Sequence, residues 1–483
     1  MHIALALLCL LAYPDSAHVV GTSYYGSVAL GLRPAVRDSR GWLHVVYSKN
    51  WLPVESEVYY SFSTDVGISW SPPENVSRDG GDTVSVNATL AIDSHDALHC
   101  VWFRQGWTGS QMSCDYYYSY KTDSGWTAPV NISRMEAGSN AAEQPSVSVG
   151  QDDRIHVAFE LSRQSSCEVY YTRADGDTWF TPVRVSAPPA WNEQPALTVS
   201  TDSILHLCWR IQGADSAYIY YSRYDSAWSP PHAIATCPSW AGWPCLAAGR
   251  DGTVHLGFEG DDGSGETDVY YMSLRNGEWS NPVDLSNTWG RLSWSSAVAV
   301  DHAGTVYFCW SEEDSSYHSE IRYRWHTTDW SATTVLAADS VLNSWSPRFV
   351  EHAGNAGPDL FWVSRDPTGE PSVPYLIYYM KLSPVTSVTE SPMPRLAGRM
   401  TQPATLSRGV LTLRCLRPGE SYRLRLLDVC GRVVCTRSGA VVAPDGSIRW
   451  TVGRRGRVVP GGVYTVVAAT LRSASFRRVV IVP

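Results

Sequence analysis

One line of residues recurs along the chain, and that repeat limits the fold more than any single motif does. Its clearest element is an apolar strand ending in an aromatic: Leu43-His44-Val45-Val46-Tyr47, Leu98-His99-Cys100-Val101-Trp102 and Ile155-His156-Val157-Ala158-Phe159. It continues as Leu205-His206-Leu207-Cys208-Trp209, Val254-His255-Leu256-Gly257-Phe258 and Val306-Tyr307-Phe308-Cys309-Trp310, with a degenerate Leu360-Phe361-Trp362. A strand with paired tyrosines follows each time (Tyr59-Tyr60, Tyr117-Tyr118, Tyr170-Tyr171, Tyr220-Tyr221, Tyr270-Tyr271, the single Tyr323, Tyr378-Tyr379). A short strand then opens at Trp70, Trp126, Trp179, Trp228, Trp279 and Trp330. The spacing of roughly 50 residues is that of one four-stranded blade of a β-propeller.

The expected fold is therefore all-β. Seven blades are favoured; six, with the last unit packed outside the ring, is the alternative. The seventh unit has no Trp to open its fourth strand, so the segment around Val19 to Leu30 is expected to complete that blade and remove its open edge. With 21 Trp and 26 Tyr against 9 Phe, the aromatics are of the kind that edge on water from half-buried strands.

The ends of the chain differ from its middle. Ile3 to Leu11 is an apolar run of export-signal length, too short to span a bilayer, and a signal peptide is expected over 1–17. The propeller is expected over 18–383, a Pro/Ser/Thr-rich linker over 384–399, and a β-sandwich of immunoglobulin-like type over 400–483. From Glu390 onward sixteen Arg stand against four carboxylates, so within a total of −9 the rest of the chain is strongly acidic. That balance excludes a nucleic-acid role for the propeller. No transmembrane span is expected, and the chain is expected to be a monomer.

Ser63-Thr64-Asp65-Val66-Gly67-Ile68-Ser69-Trp70 fits the pattern Ser/Thr-x-Asp-x-Gly-x-Thr/Ser-Trp, with shorter relics such as Thr122-Asp123-Ser124-Gly125-Trp126 and Asp175-Gly176-Asp177-Thr178-Trp179. In these residues the chain resembles the sialidase-like propellers with Asp-box (BNR) repeats. The reading of Ser63, Asp65, Gly67 and Trp70 is structural: Asp caps a hairpin, Gly takes a positive φ, and Trp packs between blades. Tyr422 to Val434, Pro460-Gly461-Gly462-Val463-Tyr464 and the ending Arg477-Arg478-Val479-Val480-Ile481-Val482 resemble the sorting domains of type IX secretion cargo. That resemblance implies secretion machinery as a partner and a secreted or outer-surface location.

An active sialidase, as the first resemblance implies, needs an Arg-x-Pro signature, an arginine triad, a Tyr-Glu nucleophile pair and an acidic proton donor. Here Arg33 directly precedes Pro34, and Gln144-Pro145, Gln194-Pro195, Trp243-Pro244 and Ser346-Pro347 hold the same place in other units. The Pro therefore belongs to the repeat, and the reading leans away from an enzyme. No catalytic residue is assigned. Glu160, Arg210, Glu259 and Arg33 are the charged departures from which glycosidic chemistry would be built, and a polar channel rim is the alternative.

Strand alternation puts the loops between second and third strands on the same face as the links between blades. That face collects Trp51, Trp107, Trp191, Trp240, Trp243, Trp289, Trp294 and Trp345, none at a repeat position. Stacking on sugar rings or on a partner's apolar surface accounts for them, as does packing of loops against each other. The function expected is binding of a glycan or surface protein, with a secreted sialidase or other glycoside hydrolase and a ligand-free envelope component as alternatives.

No cofactor or metal site is expected. The repeated histidines sit on sheets roughly 10 Å apart, too far to share an ion. The acidic loops Asp261 to Glu266 and Glu312-Glu313-Asp314 carry the donor type for Ca²⁺ and read more simply as solvated loops. Cys237 and Cys245 bracket a Trp-rich loop that a disulfide can close.

Overall fold

In the computed structural model the chain divides into two compact units, Met1–Ser387 and Val388–Pro483. The structure describes residues 18–382 outside 24–27, 53–54, 81–82, 109–110, 135–143, 164–165, 188–190, 262, 264–265, 289–290, 315, 338–342, 351–357 and 366–374, and the backbone of strands between 405 and 481. The expected signal peptide and linker lie outside these residues.

The first unit is a β-propeller. Each repeat forms one antiparallel blade whose inner strand is followed by the apolar strand of the repeat, the tyrosine strand and a short outer pairing. The second strands, in blade order, are Leu43–Leu52, Leu98–Thr108, Ile155–Arg163, Leu205–Gln212, Val254–Asp261, Val306–Glu313 and Asp359–Arg365. The ring is closed from the N-terminus. His18–Ser23 pairs antiparallel with Tyr375–Lys381, supplying the fourth strand that the seventh repeat lacks. Seven blades, not six, follow.

Burial explains the repeat. The aromatic ending of the second strand is fully buried in each blade, with Trp102, Trp209, Trp310 and Trp362 among the largest enclosed side chains. The Trp of one blade's outer strand meets the Tyr of the preceding blade edge-on: Trp126 on Tyr60, Trp179 on Tyr118, Trp228 on Tyr171, Trp279 on Tyr221 and Trp330 on Tyr271, at 4.9–5.3 Å. Trp70 makes the same contact with Tyr379 across the closure, at 5.8 Å.

In the second unit, Val433–Val441, Ser421–Leu427, Gly462–Ala469 and Ala474–Ile481 form one antiparallel sheet. Thr405–Ser407, Val410–Leu413 and Ile448–Thr451 form another.

Candidate functional site

The two faces of the propeller are built differently. On the face of the turns between first and second strands, repeated residues satisfy one another. His44, His99, His156, His206 and His255 each place Nδ1 2.7–2.8 Å from the hydroxyl of the second tyrosine of their blade. The second nitrogen lies against a turn residue, as His206 Nε2 does on Ser200 Oγ at 2.9 Å. Burial pushes these imidazoles down, His156, His206 and His255 to about 4. They are neutral packing groups, and no cluster of His, Cys, Asp and Glu among the described residues is placed to hold a metal.

The turns are also laced to each other around the ring. Ser39 donates N–H and Oγ–H to Asp96 of the next blade (2.8 and 2.5 Å), and Ser94 does so to Asp153 (2.8 and 2.7 Å). Asp96 and Asp153 hold left-handed φ of 63° and 59° to make this link. On the same face, Asp65 accepts from Ser63 Oγ, Ser69 N and Ser69 Oγ at 2.6–2.9 Å, which holds its carboxyl down at about 2. Gly67 sits at φ 81°, and a Cβ there would stand 2.0 Å from the Tyr379 ring. This turn therefore fits against the closing blade only with glycine.

Towards the loop face, the inner strands of blades two, four, five, six and seven break register at the place where the repeat carries its Pro, or Ala88 and Ser296 in blades two and six. Asn87, Gln194, Trp243, Ser295 and Ser346 take left-handed φ there, between 49° and 57°. In blades four to seven the amide that the bulge frees is capped by the preceding blade. Gln194 N donates to Glu160, Ser295 N to Glu259, and Ser346 N to Ser311 Oγ at 3.2 Å. Trp243 N donates to Gln194 Oε1 at 2.8 Å. Glu160 and Glu259 thus serve as acceptors between blades. Burial raises Glu259 to about 8, against the pull of two backbone amides and of Arg348.

Arg33 and Arg348 are buried inside the ring and bind backbone carbonyls. Arg33 reaches Leu246 O at 2.8 Å and Val147 O at 3.4 Å, tying blade one to blades five and three. Arg348 donates to Gly31 O at 3.0 Å and Ser295 Oγ at 3.1 Å. Arg210, the other arginine singled out in the sequence beside Arg33, lies elsewhere, with Nη1 3.6 Å from Glu193 and Nη2 2.9 Å from Gln212 Oε1.

Around Arg210 two of the sequence candidates, Trp191 and Trp240, come together with Glu193 and Gln212. Register sets Trp191 opposite Gln212 and Glu193 opposite Arg210, so these four share the face of blade four that looks to blade five. Trp240 of blade five lies over the guanidinium, 5.7 Å from ring centroid to Cζ, and Gln212 Nε2 donates to Ser239 O at 3.1 Å. Asn192, on the other side of the strand, is buried, bonding Cys167 O and accepting from Trp209 Nε1. That clamp holds Trp191 at the rim with 42% of its surface open.

The remaining Trp candidates are dispersed. Trp243, Trp294 and Trp345 are half-buried, and Trp345 packs edge-on against Tyr375 at 6.0 Å. Trp51 and Trp107 lie in strands Leu43–Leu52 and Leu98–Thr108, while Trp289 lies outside the described residues. Glu312, expected in a solvated acidic loop, lies instead in the strand Val306–Glu313, where it is buried and engaged by Arg291 (3.3 Å), Arg322 (3.2 Å) and Trp310 Nε1 (3.2 Å). The disulfide weighed between Cys237 and Cys245 is not formed. Both thiols are free and buried, Cys245 donating to Gly257 O at 3.5 Å and Cys237 lying against Gly260. Sequence reasoning missed the bulge caps, although the Pro that recurs beside a polar residue was their trace.

No family model and no curated protein matches the chain. Solved structures do. An ulvan lyase of a new polysaccharide lyase family aligns with TM-score 0.54 and 11% identity over 75% of this chain and 95% of that one. The BP39L lectin from Burkholderia pseudomallei aligns with TM-score 0.51 and 11% identity over 76% of this chain and 97% of that one. A Hadza microbial sialidase aligns with TM-score 0.39 and 13% identity over 77% and 66%. At such identities the likeness is one of fold. The fold is a β-propeller. No helix among the described residues is long and apolar enough to cross a membrane.

Proposed function

We propose that the protein is a secreted or cell-surface propeller that binds a glycan on its loop face and is exported through its C-terminal unit. The observation that carries the reading is the blade-four group. Trp191 offers an open aromatic surface beside the Glu193–Arg210 pair and Gln212. An apolar platform next to planar donors and acceptors suits a sugar, whose ring faces are apolar and whose edge is hydroxyls. The lectin and the ulvan lyase that share the fold support a glycan as ligand.

Binding is favoured over turnover because Glu160 and Glu259 are committed to backbone amides, and Arg33 and Arg348 to carbonyls. Glu193 remains as the open carboxylate of the group, and glycosidic chemistry needs a second one facing it. The test is a glycan array on the intact protein, with Trp191→Ala beside it. Loss of signal supports the site; retained signal rejects it. Turnover of a glycoside abolished by Glu193→Gln would replace the binding reading with a hydrolase. Detection of intact, uncleaved protein in the cytoplasm alone would reject the export reading.

A further inference from the structure

We propose that the loop face carries a second glycan subsite, on blades six and seven and centred on Tyr317, so that the ligand is a polysaccharide engaged along its chain and not a single terminal sugar. This rests on the blade-four reading above.

Among the described residues Tyr317 is the most exposed large apolar side chain, at 77%. It lies in the loop between Val306–Glu313 and Ser319–His326, on the same face as Trp191. Single exposed aromatics are ordinary on protein surfaces, and left-handed residues recur in the turns of this propeller; at Tyr317 the two coincide, an exposed aromatic on a left-handed backbone. Tyr317 is held at φ 59°, a left-handed conformation that strains a bulky residue and that glycine would take freely. The loop is built to keep it there. The Asp314 carboxylate accepts from Ser316 N at 2.8 Å and His318 N at 3.1 Å, and Tyr317 N donates to Asp314 O at 2.9 Å. Asn343, which begins the inner strand of blade seven, donates Nδ2 to Tyr317 O at 2.9 Å and accepts from Ser319 N at 3.2 Å. Two blades thus fix a strained residue so that its ring faces solvent. Leu292, also open at 42%, stands opposite Glu313 at the base of the same loop.

Trp191 and Tyr317 stand two blades apart in the ring. With sheets packed roughly 10 Å apart, the two platforms are separated by on the order of 20 Å, which one sugar cannot bridge. A chain held at Trp191 presents its further residues to Tyr317 at high effective concentration, so the second contact acts only on long ligands.

The test is calorimetric titration of the full chain with soluble β-glucan, xylan and polygalacturonate, and with the disaccharides of each. Tyr317→Gly relieves the strain and should fold at least as well as the parent. It is expected to weaken binding of the polysaccharide about tenfold, leave the disaccharide unchanged, and be rescued by Tyr317→Phe. Unchanged polysaccharide affinity in Tyr317→Gly, with Trp191→Ala still weakening binding at least tenfold, overturns the second subsite alone. A wild type that binds none of the probes, or an affinity that Trp191→Ala leaves unchanged, rejects the blade-four reading and the two-site ligand with it.

Discussion

The turn face and the loop face use the same strands to opposite ends. On the turn face the polar residues are repeat residues, and they are spent on each other: histidine on tyrosine, serine on the next blade's aspartate. On the loop face the conspicuous residues depart from the repeat, and some stay open, Trp191 and Tyr317 above all. A repeated residue in a propeller is explained once its neighbour in the ring is found. A departure that remains exposed after all neighbours are counted is where a ligand is to be sought.

The sharpest way to break the comparison is to exchange the consequences of substitution on the two faces. Gly67→Ala drives a methyl group into the Tyr379 ring at the closing seam. It should destabilise the propeller by about 3 kcal/mol or more, read as a shift in the denaturant midpoint, while any protein that remains folded keeps its ligand affinity. Trp191→Ala should do the reverse. Binding falls by about 2 kcal/mol and the midpoint stays within about 0.5 kcal/mol of the parent. Equal stability losses for the two would erase the distinction.

The faces should also fail at opposite ends of the pH scale. The buried histidines sit at about 4 in the fold against 6.5 when unfolded, so the unfolded chain binds their protons more tightly. Stability then falls as pH drops from 6.5 towards 4. Glu259 has the other sign. Its folded value of about 8 lies above the ordinary 4.5, so its contribution is full below 4.5 and is lost as pH rises through 8. Glu259→Gln keeps an acceptor for Ser295 N and should flatten the alkaline limb of a stability–pH curve while leaving the acid limb intact. A smaller effect belongs to the ring of turns: Asp96→Ala removes two hydrogen bonds at an exposed rim and should cost about 1 kcal/mol.

Much of the fold was legible because the repeat is a packing rule written in residue types. The buried ends at Trp102 and Trp209, and the Trp–Tyr contacts between blades, are what the recurring letters encode. Even the closing strand was readable, from the seventh unit's missing Trp, and it forms at His18–Ser23. The site was less legible. Glu160 and Glu259 stand out in sequence as charges that break the repeat, yet each caps a bulge amide one blade away, a partner about 35 residues distant that no local pattern reveals. The eight loop tryptophans look equivalent in sequence. Register and burial separate them, leaving Trp191 open and Trp243, Trp294 and Trp345 half-covered. Tyr317 carried no sequence signal, because its left-handed φ depends on its N–H donating to Asp314 O and its carbonyl accepting from Asn343.

The central claim is that the loop face binds a glycan through Trp191, and titration of the intact protein and of Trp191→Ala with a polysaccharide selected on the array tests it most directly. The account predicts saturable binding by the parent and at least a tenfold loss in a variant that melts at the same temperature. Equal affinity in the two proteins would contradict it.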